Sequence, residues 1–234
     1  GKKSMSTILL IPAPLHEEGL ASLPSYLLDQ IKSCQAYFVE NERTTRRYFK
    51  RLDKSIIIDA YTWSTMGTQD SVSLFKKLAK EEKTIGIVSE AGCPGVADPG
   101  QELIAIAHEM GCTIRPLVGP SSILLALMAS GLNGQQFQFN GYLPIEEKAR
   151  QKVIVDLEQA SRKDNCTQLF IETPYRNNTL LTALLKHLSA NTRLCIAADL
   201  TGPNEWVATK TVYQWKQTPP ELHKRQVIFA FKTL

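Results

Sequence analysis

The sequence lacks the motifs that mark most nucleotide-binding and metal-dependent enzymes. It contains no GxxxxGK[ST] loop, no GxGxxG after its first predicted strand and no HExxH pair. These absences argue against a P-loop NTPase, a dinucleotide-binding domain and a zinc protease. The four histidines have no catalytic partners that spacing would assign, so a Ser-His-Asp arrangement has no support.

Cysteine pairs and long apolar runs are also missing. The five cysteines are odd in number and widely spaced, without a CxxC pair, so we expect neither a disulfide framework nor a metal site. No run approaches the roughly 20 apolar residues of a membrane-spanning helix. Residues 1–5 lack the apolar core of a signal peptide, and Met5 is the expected natural start. Together these features predict a cytoplasmic protein without a membrane segment.

Composition and charge narrow the choice of class only slightly. Hydrophobic residues make up 43% of the 234 residues, which is ordinary for a globular protein of one large or two smaller domains. The net charge of +4 is a mild basic bias. It permits RNA or another anionic ligand, but charge alone favours simple solubility as the explanation.

Apolar runs alternate with helical spacing along the first half of the chain. Predicted strands cover residues 7–11, 36–39, 55–58, 84–88 and 113–118. Because these runs are continuously apolar, they predict a parallel sheet covered by helices on both faces.

After Gly131 the pattern changes to alternating strands mixed with helices. The predicted strands there cover residues 137–142, 167–172, 193–198, 205–214 and 226–232. The chain is therefore predicted to form two α/β domains, 1–119 and 120–234. The first has a parallel five-stranded sheet and the second a mixed sheet.

Four loops follow the predicted strands of the first half, at residues 12–15, 40–44, 89–100 and 119–122. In an open parallel sheet, ligands bind beyond the carboxyl ends of the strands. The 89–100 loop holds three glycines and two prolines, which allow close backbone approach to a ligand along a fixed path. A simple bend would produce the same composition.

Six segments resemble motifs of the tetrapyrrole methylase family, in the family's order, and most closely those of its bacterial small-subunit rRNA methyltransferase branch. They are ENERTTR at 40–46, SEAGCPGVADPG at 89–100, GPSS at 119–122, GYLP at 141–144, ETPYR at 172–176 and ADLTG at 198–202. The resemblance covers nearly the whole chain.

The resemblance implies two α/β domains with S-adenosylmethionine in the cleft between them, and a homodimer. It also implies methylation of a ribose 2′-hydroxyl, with ribosomal RNA or the small ribosomal subunit as partner. The cofactor contacts that it implies are Leu15, Cys93, Val96, Ser121 and Ser122. Ser121 and Ser122 would also suit a helix start as plain N-caps. Cys93 is expected to contribute shape and backbone, because transfer from a sulfonium needs no enzyme nucleophile.

A hydroxyl acceptor would be helped by a general base. The acids at the motif loops are Glu40, Glu42, Asp98 and Glu172, and two arginines near them, Arg43 and Arg176, could hold a phosphate. We select Glu40, Arg43, Glu172 and Arg176 as the candidate catalytic residues. The alternative is a set of internal salt bridges, for example between Glu40 and Arg43.

The chain departs from the family pattern at several positions. The first loop has no glycine, Asn41 and Glu90 replace aspartates, and Ala198 and Gly202 replace basic residues. Two alternatives stay open. A tetrapyrrole C-methyltransferase would usually have a glycine-rich first loop, and a non-catalytic RNA-binding relative would have less reason to keep the 89–100 loop.

Overall fold

The computed structural model describes residues 4–234, so the first three residues of the N-terminal segment discussed above lie outside it. The chain divides between Ser121 and Ser122 into two compact units, here called unit 1 and unit 2. Among the described helices, none combines the length and the apolar character needed to cross a bilayer.

Unit 1 contains a five-stranded sheet in which every pairing is parallel. Its strands are β1 (Thr7–Ile11), β2 (Ala36–Val39), β3 (Thr62–Thr65), β4 (Thr84–Val88) and β5 (Thr113–Pro116). Their spatial order is β3-β2-β4-β1-β5. This confirms the predicted parallel five-stranded sheet.

Four helices connect these strands: α1 (Leu27–Lys32), α2 (Glu42–Leu52), α3 (Gln69–Ala79) and α4 (Gly100–Glu109). Asn41 is the N-cap of α2, because its side chain accepts a hydrogen bond of 3.0 Å from the Thr44 amide. Residues of α1 and α2 pack in one apolar cluster and residues of α3 and α4 in another. Neighbouring strands β1 and β4 thus lead to helices in different clusters, which makes their carboxyl ends a topological switch point.

The third strand is not where the sequence predicted it. Residues 55–58 are not a strand, a short 3₁₀ turn covers Ile58–Ala60, and β3 follows at Thr62–Thr65. Ile56 is buried, but Ile57 is 71% exposed. The apolar run therefore supplies the buried Ile56 and the partly buried Ile58 to the core rather than a strand buried on both faces.

Unit 2 contains a second five-stranded sheet in the order β6-β7-β10-β8-β9. Its strands are β6 (Phe137–Tyr142), β7 (Thr167–Ile171), β8 (Arg193–Ala198), β9 (Trp206–Thr211) and β10 (Val227–Lys232). β6 runs parallel to β7 at one edge, and the other neighbours are antiparallel. The predicted mixed sheet is confirmed.

The helices of unit 2 are α5 (Ser122–Ser130), α6 (Glu147–Asp164), α7 (Asn177–His187) and α8 (Val212–Gln217). α8 corrects the prediction of one strand over residues 205–214. Thr211 and Gln214 form a reciprocal capping box, which ends β9 and starts the helix. Trp215 on α8 is fully buried, and its indole N–H donates to the Leu194 carbonyl at 2.8 Å.

Candidate functional site

The loops after β1 and β4 are joined at the switch point by a pair of backbone hydrogen bonds. The Ala13 amide donates to the Gly92 carbonyl at 3.0 Å, and the Gly92 amide donates to the Ala13 carbonyl at 2.9 Å. Gly92 has φ of +71°, a conformation that favours glycine. The Ser89 hydroxyl donates to the same Gly92 carbonyl. The two loops therefore form one continuous backbone wall.

Asp98 holds the far half of the 89–100 loop in shape. Its Oδ1 accepts hydrogen bonds from the Gly95 amide at 3.0 Å and the Gly100 amide at 2.8 Å. A Cβ on Gly100 would lie 2.7 Å from that oxygen, so the loop requires glycine there. The turn composition seen in the sequence thus serves a hydrogen-bonded loop and not a bend alone.

Cys93 connects this loop to the segment after β5. Its thiol lies 3.5 Å from the Pro120 carbonyl oxygen and 3.8 Å from the Gly119 carbonyl oxygen, and either oxygen can accept a hydrogen bond from it. Burial raises the pKa of the Cys93 thiol. The residue is therefore a neutral donor at physiological pH.

The candidate cofactor residues lie at different places around these loops. A Cβ on Gly92 would come within 3.1 Å of the Leu15 side chain and 3.4 Å of the Pro120 carbonyl oxygen. Leu15 and Pro120, the residue before Ser121, therefore lie beside the 89–100 loop. Val96 is 51% exposed. Ser121 ends unit 1, and Ser122 begins α5 in unit 2. The structure thus brings Leu15 and Cys93 to the same part of unit 1.

Glu40 follows β2, and its carboxylate accepts a hydrogen bond of 3.1 Å from the Glu90 amide. Burial is the main cause that raises the pKa of Glu40; the Glu90 amide opposes it, and the charges of Asp98 and Glu90 add to it. In residues 4–234 no ion pair joins Glu40 to Arg43, which is exposed. The suggested Glu40–Arg43 salt bridge is therefore wrong.

Glu42, another acid considered as a general base, forms an ion pair with a residue of its own helix. It pairs with Arg46 at 2.7 Å, and Arg46 also pairs with Asp59 at 2.8 Å. The Arg46 guanidinium lies 5.0 Å from the centre of the Trp63 ring. This set fixes α2 against the edge of the sheet.

Glu172 and Arg176 lie in unit 2, in the turn between β7 and α7. The Glu172 carboxylate accepts from the Thr173 amide at 2.7 Å, and the Arg176 amide donates to the Thr173 carbonyl at 2.9 Å. The ETPYR segment is therefore a turn closed by its own hydrogen bonds. Its Tyr175 is 70% exposed.

A pocket of about 280 Å³ opens at the switch point, within unit 1. Its walls are the loop after β1 (residues 13–17), the face of α2 that carries Thr44, Arg47 and Arg51, and the start of the 89–100 loop. Tyr48 ties α2 to the first wall by donating to the Pro12 carbonyl at 2.7 Å. Within the described residues, no group of three His, Cys, Asp or Glu side chains could share a metal ion.

Arg47, Tyr48 and Arg51 were not predicted as site residues, because the ENERTTR motif ends at Arg46. The spacing of Arg43, Arg47 and Arg51 is the sequence signal that points to them. Residues four apart on a helix lie on the same face, so these arginines form one row along α2.

Comparison with known proteins identifies a matching family and relatives that align with most of this chain. The family described as tetrapyrrole (corrin/porphyrin) methylases matches residues 22–215. A ribosomal RNA small subunit methyltransferase I of Vibrio cholerae is 28% identical over 83% of this chain and 65% of its own length. One of Bacillus subtilis is 28% identical over 86% of this chain and 66% of its own length. The chain thus spans just under two thirds of the length of these relatives.

A crystal structure of diphthine synthase has a similar fold. It superposes with a TM-score of 0.68 at 13% identity, covering 97% of this chain and 90% of its own. At that identity the likeness concerns the fold alone.

Proposed function

The chain belongs to the tetrapyrrole (corrin/porphyrin) methylase family, and on that premise we propose that it transfers a methyl group from S-adenosylmethionine to a ribose 2′-hydroxyl of small-subunit rRNA. The observation that carries the proposal is the backbone wall at Ala13 and Gly92, beside Leu15 and Cys93. The names of the curated relatives support RNA as the acceptor. The family resemblance supports the ribose hydroxyl and a homodimer, and the five widely spaced cysteines support a cytoplasmic location.

The residues around the 89–100 loop fit S-adenosylmethionine. Without a side chain, Gly92 leaves room beside Leu15 and Pro120 that a Cβ would occupy. We propose contacts from Leu15, Cys93 and Val96, with Ser121 and Ser122 at the start of α5, where helix amides attract a carboxylate. The bound cofactor would supply a methyl group on a sulfonium, ready for in-line displacement. The neutral Cys93 thiol agrees with a transfer that uses no enzyme nucleophile.

Glu40 is the residue that we propose as general base. Its pKa, which is raised mainly by burial, makes it a stronger base than an ordinary carboxylate. The Glu90 amide orients the carboxylate without neutralising it. Arg43, three residues further along, is proposed to hold a phosphate of the acceptor. Glu172 and Arg176 are proposed as catalytic residues of unit 2 on their motif.

The first test is calorimetric titration of the full chain with S-adenosylmethionine. We expect saturable binding with one site per chain. Absence of binding at millimolar cofactor would overturn the methyltransferase proposal and favour a non-catalytic relative.

The second test uses labelled cofactor and small ribosomal subunits from a strain that lacks the protein. We expect label in rRNA, and nuclease digestion should release it as a 2′-O-methylnucleoside. Label on a base would overturn the ribose assignment. Transfer to a tetrapyrrole precursor with none to rRNA would replace the RNA proposal by the C-methyltransferase alternative.

A further inference from the structure

The pocket at the switch point has a basic wall that the methyl-transfer chemistry does not use. Arg47 and Arg51 line it from α2, one helical turn apart. Arg43 lies one further turn toward the start of the helix, near Glu40. At a rise of about 1.5 Å per residue, the three arginines span about 12 Å along one face.

The other two basic residues of α2 are held by contacts inside unit 1. Arg46 pairs with Glu42 and Asp59, and the Lys50 ammonium donates to the Ile56 carbonyl at 2.6 Å. Arg46 is half-buried, and Lys50 is exposed, as Arg43, Arg47 and Arg51 are. The contacts of Arg46 and Lys50 stabilise the fold, and the other three arginines form a separate basic row on α2.

Glu17 contacts the two pocket arginines. Its carboxylate lies 2.5 Å from Arg47, and its backbone carbonyl accepts from Arg51 at 2.5 Å. Each guanidinium has five N–H donors, so these contacts leave donors for a further anion. The Arg47 and Glu17 side chains are 71% and 64% exposed, and such a pair is weak enough for a phosphate to share or displace it.

We propose that the row Arg43–Arg47–Arg51 binds the phosphodiester backbone of RNA next to the methylated nucleotide, with the pocket as the phosphate subsite between Arg47 and Arg51. This rests on the proposed function for the identity of the acceptor. The row begins beside the proposed base Glu40 and leads away from it along α2. Arg47 and Arg51 therefore position the strand and contribute affinity rather than chemistry.

The test measures binding of a short fluorescein-labelled single-stranded RNA by anisotropy over a series of salt concentrations. The variant is R47Q/R51Q, which leaves the proposed catalytic Arg43 in place. We expect the slope of log affinity against log salt to fall by about 1.4, the value for two phosphates on a single strand. R47K/R51K keeps the charge and should retain most of the slope.

The matched control is K76Q/K77Q, which removes two exposed positive charges from α3. It should leave the RNA slope unchanged. All variants are also titrated with S-adenosylmethionine, whose affinity should stay at the wild-type value. If the wild type bound no cofactor, the proposed function would be overturned, but the proposed phosphate row would not.

The phosphate row would be overturned by an unchanged salt slope in R47Q/R51Q, or by an equal loss of slope in the control K76Q/K77Q. It would also be overturned by a variant that keeps RNA binding but loses binding to a polyglutamate peptide, which would assign the row to an acidic protein. In steady-state methyl transfer, R47Q/R51Q should raise KM for RNA and leave kcat at saturating RNA unchanged.

Discussion

Gly119 packs so closely against Pro12 that a Cβ on Gly119 would lie 2.2 Å from the Pro12 Cβ and 2.4 Å from its Cγ. The segment after β5 therefore lies directly on the loop after β1. G119A should push these segments apart and cost about 1–3 kcal/mol of unfolding free energy. We also expect weaker binding of S-adenosylmethionine, because Pro120 and Leu15 border the same space.

Urea unfolding and calorimetry measure both effects. The control is G134A, since a Cβ on Gly134 meets nothing within 4 Å. If G119A matched G134A in stability and cofactor affinity, the close approach at Pro12 would have no energetic role.

Replacing Glu40 separates catalysis from stability. E40Q should lower kcat by about 10²- to 10⁴-fold while RNA and cofactor still bind. The folded-state pKa of Glu40 lies above the ordinary value of 4.5, so its ionisation costs stability as pH rises from that value through the folded pKa. E40Q keeps an oxygen for the Glu90 amide and should unfold at higher urea than the wild type at pH 7.

That gain in stability should disappear below pH 4.5, where Glu40 is protonated in both states. Urea titrations at the two pH values test this. A variant less stable than the wild type at pH 7 would contradict the role of burial in raising the pKa of Glu40.

D98N tests the influence of a neighbouring charge on Glu40. The amide oxygen of Asn can still accept from the Gly95 and Gly100 amides, so the loop should keep its shape. Removing the charge should lower the pKa of Glu40 in part, because burial is the larger cause. The acidic limb of the pH profile of kcat/KM should therefore move to lower pH. A limb that stays in place would mean that another group limits the reaction.

C93A tests whether the thiol is a nucleophile. We expect methyl transfer to remain within about tenfold of the wild type, since one neutral hydrogen bond is worth about 1 kcal/mol. Alkylation of Cys93 by iodoacetamide should be slow at neutral pH and should accelerate only above the ordinary thiol pKa of 9.0. Complete loss of activity in a folded C93A chain would contradict this expectation and indicate a direct role of the thiol in the reaction.

E17Q should strengthen RNA binding. The substitution removes the carboxylate that competes for Arg47 but keeps the carbonyl contact to Arg51. An exposed pair of this kind is worth about 0.2–1 kcal/mol, which corresponds to an affinity gain of up to about fivefold. Anisotropy at fixed low salt measures it, with E18Q as the neighbouring charge control. Weaker binding in E17Q alone would show that Glu17 supports the arginine row rather than competing with it.

The sequence predicted the strands whose side chains are buried on both faces. β1, β2 and β4 begin and end at the predicted residues, because their burial requires continuous apolar runs. β3 was misplaced because it is an edge strand in which three of the four residues, Thr62–Thr65, are polar, and the isoleucines before it gave a stronger apolar signal. The capping box at Thr211 and Gln214 was present in the sequence and would have predicted α8.

The loops of the candidate site could be predicted for a similar reason. Carboxyl ends of parallel strands share one edge of a sheet, so the segments after β1, β2 and β4 had to lie there. What could not be predicted was the partner of each side chain. Glu42 pairs with Arg46, whereas Glu40 accepts from the Glu90 amide, and only the path of the backbone decides between such partners.

The bridge between Ala13 and Gly92 has a consequence for how this enzyme family diversifies. Its two bonds are made by backbone atoms, so they do not depend on which side chains the first loop carries, and a glycine-free Pro-Ala-Pro loop preserves them. The opposite wall of the pocket is the surface of a helix, where side chains can be exchanged without altering any backbone bond. Under the proposed function, α2 contacts the methyl acceptor and the Ala13–Gly92 bridge borders the cofactor. Substitutions on α2 should then change the acceptor and leave the cofactor side of the site intact.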